Sequence, residues 1–238
     1  MLAFAAGSAA GIGSGFAQDP PPNLLKRIAA VETEAQQAQS NYTYRQTVSL
    51  DELDKHGAIE GNYREVRDII FSPTEERTEQ FVGQPRKNLK RLQLTDEDFR
   101  DMREIQPFLL TKDQAFMYES RFQGDETMNG IDCWVVRIKP RQILEGQRLF
   151  DGTLWVDKTD FSVIRSEGQA VPQLISTKSE NLFPHFTTMR EKVDGHWFPV
   201  ETYADDTLNF TSGQQRVRLV IRYSNYKRFG ADTKITFK

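Results

Sequence analysis

The sequence predicts an α+β protein, mostly β: one strongly curved antiparallel sheet, a half-barrel, with helices covering its concave side. Three observations lead there. From residue 116 onward nearly every segment alternates apolar and polar residues with the two-residue period of a strand. Short turn signals such as Asn129-Gly130, Asp194-Gly195 and Ser212-Gly213 separate those segments, so consecutive strands pair as hairpins. Amphipathic helical patterns occur only outside this meander, and their apolar faces need a surface to cover.

The hairpin at Asp151–Ala170 shows the logic. Centring its turn on Lys158-Thr159 pairs Val156 with Phe161 and Leu154 with Val163, which places four apolar side chains on one face. The other face, with Thr153, Trp155, Ser162 and Ile164, is less polar than an open surface, so both sides of the sheet are expected to be covered or occupied.

In chain order, residues 1–17 are small, apolar and uncharged and end in Gly15-Phe16-Ala17, a small-x-small pattern. They read as the remnant of a signal peptide, although no Lys or Arg precedes the apolar run. The remainder, 18–238, reads as a single domain. After Pro20-Pro21-Pro22, Asn23 is placed to cap a helix running to about Ser40, with Leu24, Leu25, Ile28, Val31, Ala35 and Ala38 on one side. Tyr42–Leu50 alternates as a strand, and the charged stretch 51–61 reads as a loop or a frayed strand end. Tyr63–Phe71 and Arg77–Val82 form a second hairpin around Ser72-Pro73-Thr74. Thr95-Asp96-Glu97-Asp98 opens a short helix whose acidic first turn suits the helix dipole and is expected to face solvent; Pro107 stops it near Gln106. Then come seven strands: Phe116–Gln123, turning at Gly124-Asp125, then Ile131–Lys139, Arg148–Asp157, Phe161–Ala170, Phe186–Val193, His196–Leu208 and Gln214–Phe229. In the last, Val217, Leu219, Ile221 and Tyr223 face inward.

Chemistry is sparse. The chain of 238 residues carries a net charge of −3, which implies no basic patch for nucleic acid. Of three histidines, His56 lies in a charged loop. His185 and His196 belong to one hairpin, where His196 pairs with Val193 and His185 with Ala204, setting them about 26–30 Å apart, too far to share a metal. No nucleophile elbow, zinc-protease or phosphate-loop motif is present. The lone Cys133 lies in a strand-like run and reads as a small buried hydrophobe. The expectation is a protein that is not an enzyme, with no catalytic residues, metal or cofactor. An unrecognised hydrolase is the least favoured alternative.

The surplus is aromatic: 16 Phe, 7 Tyr and 3 Trp. Most fill a core, yet an incompletely filled hollow would hold an acyl chain with few polar groups. Tyr44, Leu154, Val156, Phe161, Val163, Phe186, Trp197, Phe198, Leu219 and Ile221 are the candidates to line it.

Four segments, Met128–Pro140, Gly152–Gly168, Val193–Pro199 and Tyr223–Phe229, together with the order helix, meander and helical insertion, give the chain a resemblance. It resembles the outer-membrane lipoprotein-sorting (LolA/LolB-like) superfamily over roughly residues 23–238. The resemblance implies a half-barrel with a helical lid over an apolar cavity, an arginine latching that lid, and lipid or lipoprotein acyl chains as ligands. No motif assigns the arginine. It also implies a periplasmic monomer that meets membrane-bound loading or accepting proteins. Gln18 stands where an acylated cysteine would follow the cleavage site, so the expected form is soluble and not lipid-anchored. The alternative is a non-catalytic sensor or structural interaction module of the same fold with a packed interior.

Overall fold

The computed structural model describes residues 19–71, 77–175 and 180–228. The apolar N-terminal segment, the turn at Ser72-Pro73-Thr74 and the end of the last strand at Phe229 lie outside the described residues. In order the elements are α1 (Leu24–Gln39), β1 (Tyr42–Leu53), β2 (Ile59–Phe71), β3 (Arg77–Phe81), β4 (Arg86–Asn88), α2 (Asp96–Glu104), α3 (Lys112–Ala115) and β5 (Tyr118–Met128). There follow β6 (Ile131–Pro140), β7 (Leu149–Asp157), β8 (Val163–Val171), β9 (Leu174–Ile175), β10 (Glu180–Asn181), β11 (Phe186–Val193), β12 (His196–Phe210) and β13 (Gly213–Arg228).

Eleven strands form one antiparallel sheet in the order β3-β2-β1-β13-β12-β11-β8-β7-β6-β5, with β4 added beside β2; β9 and β10 pair separately. The sheet does not close, because β3 and β5 have no mutual pairing. It is strongly curved. Phe99 of α2 packs on Tyr63 of β2 at 5.9 Å, and Phe108, just beyond α2, packs on Tyr118 of β5 at 5.7 Å. The chain between those two phenylalanines, largely helical, reaches on the order of 20 Å. Flat sheet would separate β2 from β5 by about 38 Å over eight strand spacings. Only a half-barrel brings both ends to one short helical segment.

One-sided burial follows the pleat. Val217, Leu219, Ile221 and Tyr223 of β13 are buried on the concave side, while Arg218 and Arg222 pair across strands with Asp205 and Glu201 on the convex side. α1 lays Ile28, Ala29, Glu32 and Ala35 into the hollow.

Local chemistry moved several expected boundaries. Of the two readings of stretch 51–61, strand ends prevail over loop: β1 runs to Leu53 and β2 starts at Ile59, joined by a tight turn in which Asp54 Oδ1 accepts from the His56 and Ala58 amides, both at 2.8 Å. Gly124-Asp125 is not a turn: both residues pair with β6 inside β5, next to a bulge at Gln123, with Gly124 at φ 142. The β7–β8 register also differs, pairing Val156 with Val163 and Leu154 with Ser166. Asp157 and Asp160 accept backbone bonds from Thr159 and Ser162, which lengthens the turn. Phe161 then leaves the ladder at φ 66 and stacks on Trp134 at 5.2 Å. A bulge between Met189 and Arg190 shifts the β11–β12 hairpin, so that His185 stands near Asp206, not Ala204. Asn23 occupies the N-cap position of α1 at φ 63 without a side-chain cap bond. The acidic start of α2 is partly internal: Asp98 closes a capping box with Thr95, and Asp101 is fully buried against Arg148.

Candidate functional site

The middle of the hollow is solid. Phe108 stacks on Phe150 at 4.5 Å, Phe150 meets Phe186 at 5.8 Å, and Tyr118 closes the other side of Phe108. Gly152 and Gly168 face each other across β7 and β8 directly beneath the Phe150 ring. A Cβ at either glycine would collide with the ring and the opposing backbone, so these two positions create the seat for the aromatic plug.

Above it, α1 is tied down by a buried ion pair. Arg190 of β11 and Glu32 of α1 are 0% and 1% exposed, and one guanidinium nitrogen, Nη1, reaches both carboxylate oxygens at 2.9 and 2.8 Å. The same Nη1 donates to the Val163 carbonyl at 3.3 Å, and Nη2 donates to the Phe108 carbonyl beyond α2. One arginine thus joins α1, the α2–α3 connection and two strands. Burial pushes the Glu32 carboxyl above the usual carboxylate range, against the pull of Arg190. A second buried pair fixes α2: Asp101 accepts from Arg148, whose other nitrogen donates to the Pro172 carbonyl. Burial likewise pushes Asp101 up.

Away from the plug lies a cavity of about 490 Å³. Its floor is the concave face of β1, β12 and β13, through Leu50, Leu208, Val217 and Leu219. Its roof is α2, through Met102, with Leu92 and Leu94 from the segment before it, and Leu182 and Phe183 close one flank. The roof segment is held by Glu52, 1% exposed, whose carboxylate accepts from three successive amides: Lys90 at 2.7 Å, Arg91 at 2.8 Å and Leu92 at 2.6 Å. Gly61 makes room for it, because a Cβ there would run into the Glu52 carboxylate and the Asn88 carbonyl. Nothing in the charged pattern 51–61 announced this role.

Of the ten side chains expected to line a hollow, Leu219 lines this cavity. Leu154, Val156, Val163 and Phe186 are buried in the core around the plug and under α1. Tyr44, Phe198 and Ile221 are buried as well; the Tyr44 and Phe198 rings both pack against Tyr226, at 5.1 and 5.2 Å. Phe161 sits beside α1 with the Arg27 guanidinium 4.6 Å over its ring. Trp197 is not in the hollow at all. It packs with Cys133, Trp155 and Ile164 in a separate cluster, because its pleat position faces the convex side.

Cys133 is fully buried in that cluster. Burial and the neighbouring Asp157 and Asp132 carboxylates push its thiol up to about 11 from 9.0. At pH 8 a thiol reagent is therefore expected to label the native chain at least about a hundredfold more slowly than the urea-unfolded chain, tenfold for each unit of pKa. Comparable rates in the two states would show that the convex cluster opens freely. Among the described residues no group of three His, Cys, Asp or Glu is placed to hold a metal ion, and no helix is long and apolar enough to cross a membrane.

No family model and no curated protein matches the chain. Its matches are solved structures of low identity. A LolA superfamily protein from Nitrosomonas europaea aligns at 16% identity and a TM-score of 0.40, over 90% of this chain and 97% of that one. A DUF1329 family protein from Desulfovibrio piger aligns at 15% and 0.39, over 89% and 95%. An outer membrane lipoprotein-sorting protein domain from Vibrio parahaemolyticus aligns at 12% and 0.38, over 89% and 96%.

Proposed function

We propose that the chain is a non-catalytic, exported carrier that holds acyl chains of lipids or lipoproteins in the cavity between α2 and the end of its curved sheet, acting as a soluble periplasmic monomer. The observation that carries the reading is the cavity itself: 490 Å³ left open beside a core of buried aromatic rings, with leucines, phenylalanines, Met102, Val217 and Pro184 making up eleven of its twenty lining residues and polar groups such as Gln93, Thr95 and Gln214 the rest. Volumes of this size are typical of small-molecule sites, and apolar walls favour hydrocarbon over water. The two buried ion pairs support a lid role for the helices. Arg190 fits the latching arginine that the sequence resemblance implied, since it holds both α1 and the stretch after α2. Opening the lid would expose unpaired charges, so loading needs a membrane or partner surface to supply compensating contacts. The N-terminal segment supports export.

Lipid extraction and mass spectrometry of protein purified without detergent test the reading. Near-stoichiometric acyl lipid is expected, and an empty protein that takes up no acyl chain overturns it. Leu208 lines the cavity and is 7% exposed. Leu208→Trp fills room for about two methylenes at ~0.8 kcal/mol each, so acyl affinity should drop about tenfold. Circular dichroism should remain native.

A second reading, a sensor or interaction module of the same fold, is favoured by the packed middle of the hollow, where Phe108, Phe150 and Phe186 are buried against one another. It predicts a protein that binds no lipid and captures a protein partner on its surface.

A further inference from the structure

The cavity does not stand alone. A shallower polar depression of about 600 Å³ adjoins it and shares three of its lining residues, Arg91, Gln214 and Gln215. The two compartments differ in the residues they present. Eleven of the twenty residues lining the first are Leu, Phe, Met, Val or Pro, against Leu53 alone among the nine of the second, and the two carboxylates of the first are engaged locally: Asp98 by the Thr95 amide at 2.7 Å, Glu180 by the Thr211 amide at 3.0 and 3.1 Å. The second carries Lys55, Arg91 and Arg216 against Asp54 and Glu60. Asp54 is already occupied by the turn amides of His56 and Ala58. Arg91 is 63% exposed and only loosely opposed by Glu60, at 3.9 Å, whereas Arg216 is held by Asp205 at 2.8 Å. Lys55 and Arg91 are thus the cations best placed to meet a ligand.

Taking the proposed acyl-binding reading as given, we infer that the ligand is a single-chain anionic amphiphile: one acyl chain of about sixteen carbons in the apolar cavity, its charged head in the depression beside Lys55 and Arg91. Volume decides the number of chains. A methylene is about the size of a water molecule, ~30 Å³, so 490 Å³ holds on the order of sixteen. Two such chains would need about twice that space, and the neighbouring core around Phe150 and Phe186, both fully buried, offers none. The placing of the charges decides the head. At the outer compartment Lys55 and the 63% exposed Arg91 face solvent, while the Asp54 carboxylate is turned onto its own turn amides and Glu60 comes no nearer Arg91 than 3.9 Å; the shared Gln214 and Gln215 mark the boundary between the two compartments. A long-chain carboxylate and a lysophospholipid phosphate share this chemistry.

The test uses the full, delipidated chain and competition against a fluorescent fatty acid. The competitors are palmitate, 16:0 lysophosphatidylglycerol, 1-palmitoylglycerol, dipalmitoylphosphatidylglycerol and a tripalmitoylated lipopeptide, together with a saturated fatty-acid series of ten to twenty-two carbons. Affinity should rise about fourfold per methylene, the equivalent of ~0.8 kcal/mol, and level off near sixteen carbons. The two anionic single-chain ligands should exceed 1-palmitoylglycerol about fivefold, and Lys55→Glu/Arg91→Glu should abolish that preference. The palmitate and lysophosphatidylglycerol arms tell a carboxylate head from a phosphate one. Equal or tighter binding of the two- or three-chain ligands, or affinity still climbing at twenty-two carbons, overturns the single-chain inference while leaving the carrier reading standing. Equal binding of neutral and anionic single-chain ligands overturns the head-group assignment. Failure of every acyl ligand, with the protein folded by circular dichroism, overturns the carrier reading itself.

Discussion

Arg190→Met is expected to lower the free energy of unfolding by about 3–5 kcal/mol. The substitution strands the Glu32 carboxylate at 1% exposure and leaves the Val163 and Phe108 carbonyls without the donors that Arg190 supplies. Each buried acceptor left unpaired carries a desolvation penalty, and the uncompensated charge carries the largest. For a domain of this length, each kcal/mol moves the midpoint by about 2–4 °C, so a drop of roughly 6–20 °C should be visible in a thermal melt. The double replacement Glu32→Leu/Arg190→Met should recover most of that loss. Burial already pushes Glu32 above its ordinary range despite the nearby guanidinium, which is the sign of an ion pair whose desolvation offsets its attraction. Urea titration of the two variants measures both effects. If the single variant falls within about 1 kcal/mol of wild type, the pair is not what holds α1 down. Hydrogen exchange adds a local readout: amides of α1 should lose protection in Arg190→Met before those of the central strands do.

The half-barrel was legible because its cause is periodic. A strand with one covered face writes that face into every second residue, and β13 does so from Val217 to Tyr223. Asn129-Gly130 and Asp194-Gly195 were equally readable, since both pairs adopt the positive φ that their residue types tolerate: 51 and 81, 50 and 91. Register was less so. The β7–β8 hairpin slipped from the expected pairing because two aspartates spend their side chains on turn amides, a local choice that alternation cannot reveal. The site was harder still. Apolar alternation identifies which residues point inward, but not whether something already fills the space they face. Leu154, Val163 and Phe186 point inward as expected and meet protein; Leu50, Leu208 and Val217 point inward at the other end and meet a cavity. What separates the two ends is the long-range arrival of Phe108 on Phe150, and the capture of residues 90–92 by Glu52. Neither contact has a sequence period. The buried Arg190–Glu32 pair was invisible for the same reason: the two residues are 158 apart and each, read alone, is an ordinary charged residue on an amphipathic element.

Phe150→Ala separates the two ends experimentally. Phe150 is fully buried, stacked on Phe108 at 4.5 Å and seated on Gly152 and Gly168, with its amide bonded to the Tyr118 hydroxyl at 3.2 Å. Truncating such a ring costs about 3–5 kcal/mol, through lost burial and the void left behind. The backbone around it cannot collapse far, because β7 and β8 are fixed by their ladder on both sides. Chemical denaturation should therefore show a loss near the upper part of that range. Ligand behaviour should not follow stability. Phe150 does not line the cavity beneath α2, so the acyl chain-length optimum should stay near sixteen carbons. If acyl chains instead occupied the space over Leu154, Val163 and Phe186, removing the ring would enlarge their site by about three methylenes' volume at ~30 Å³ each, and the optimum would move to longer chains. The same variant thus reads stability at one end of the sheet and binding at the other. A coupled change in both would mean that the hollow works as one continuous chamber, with the aromatic plug as its movable floor.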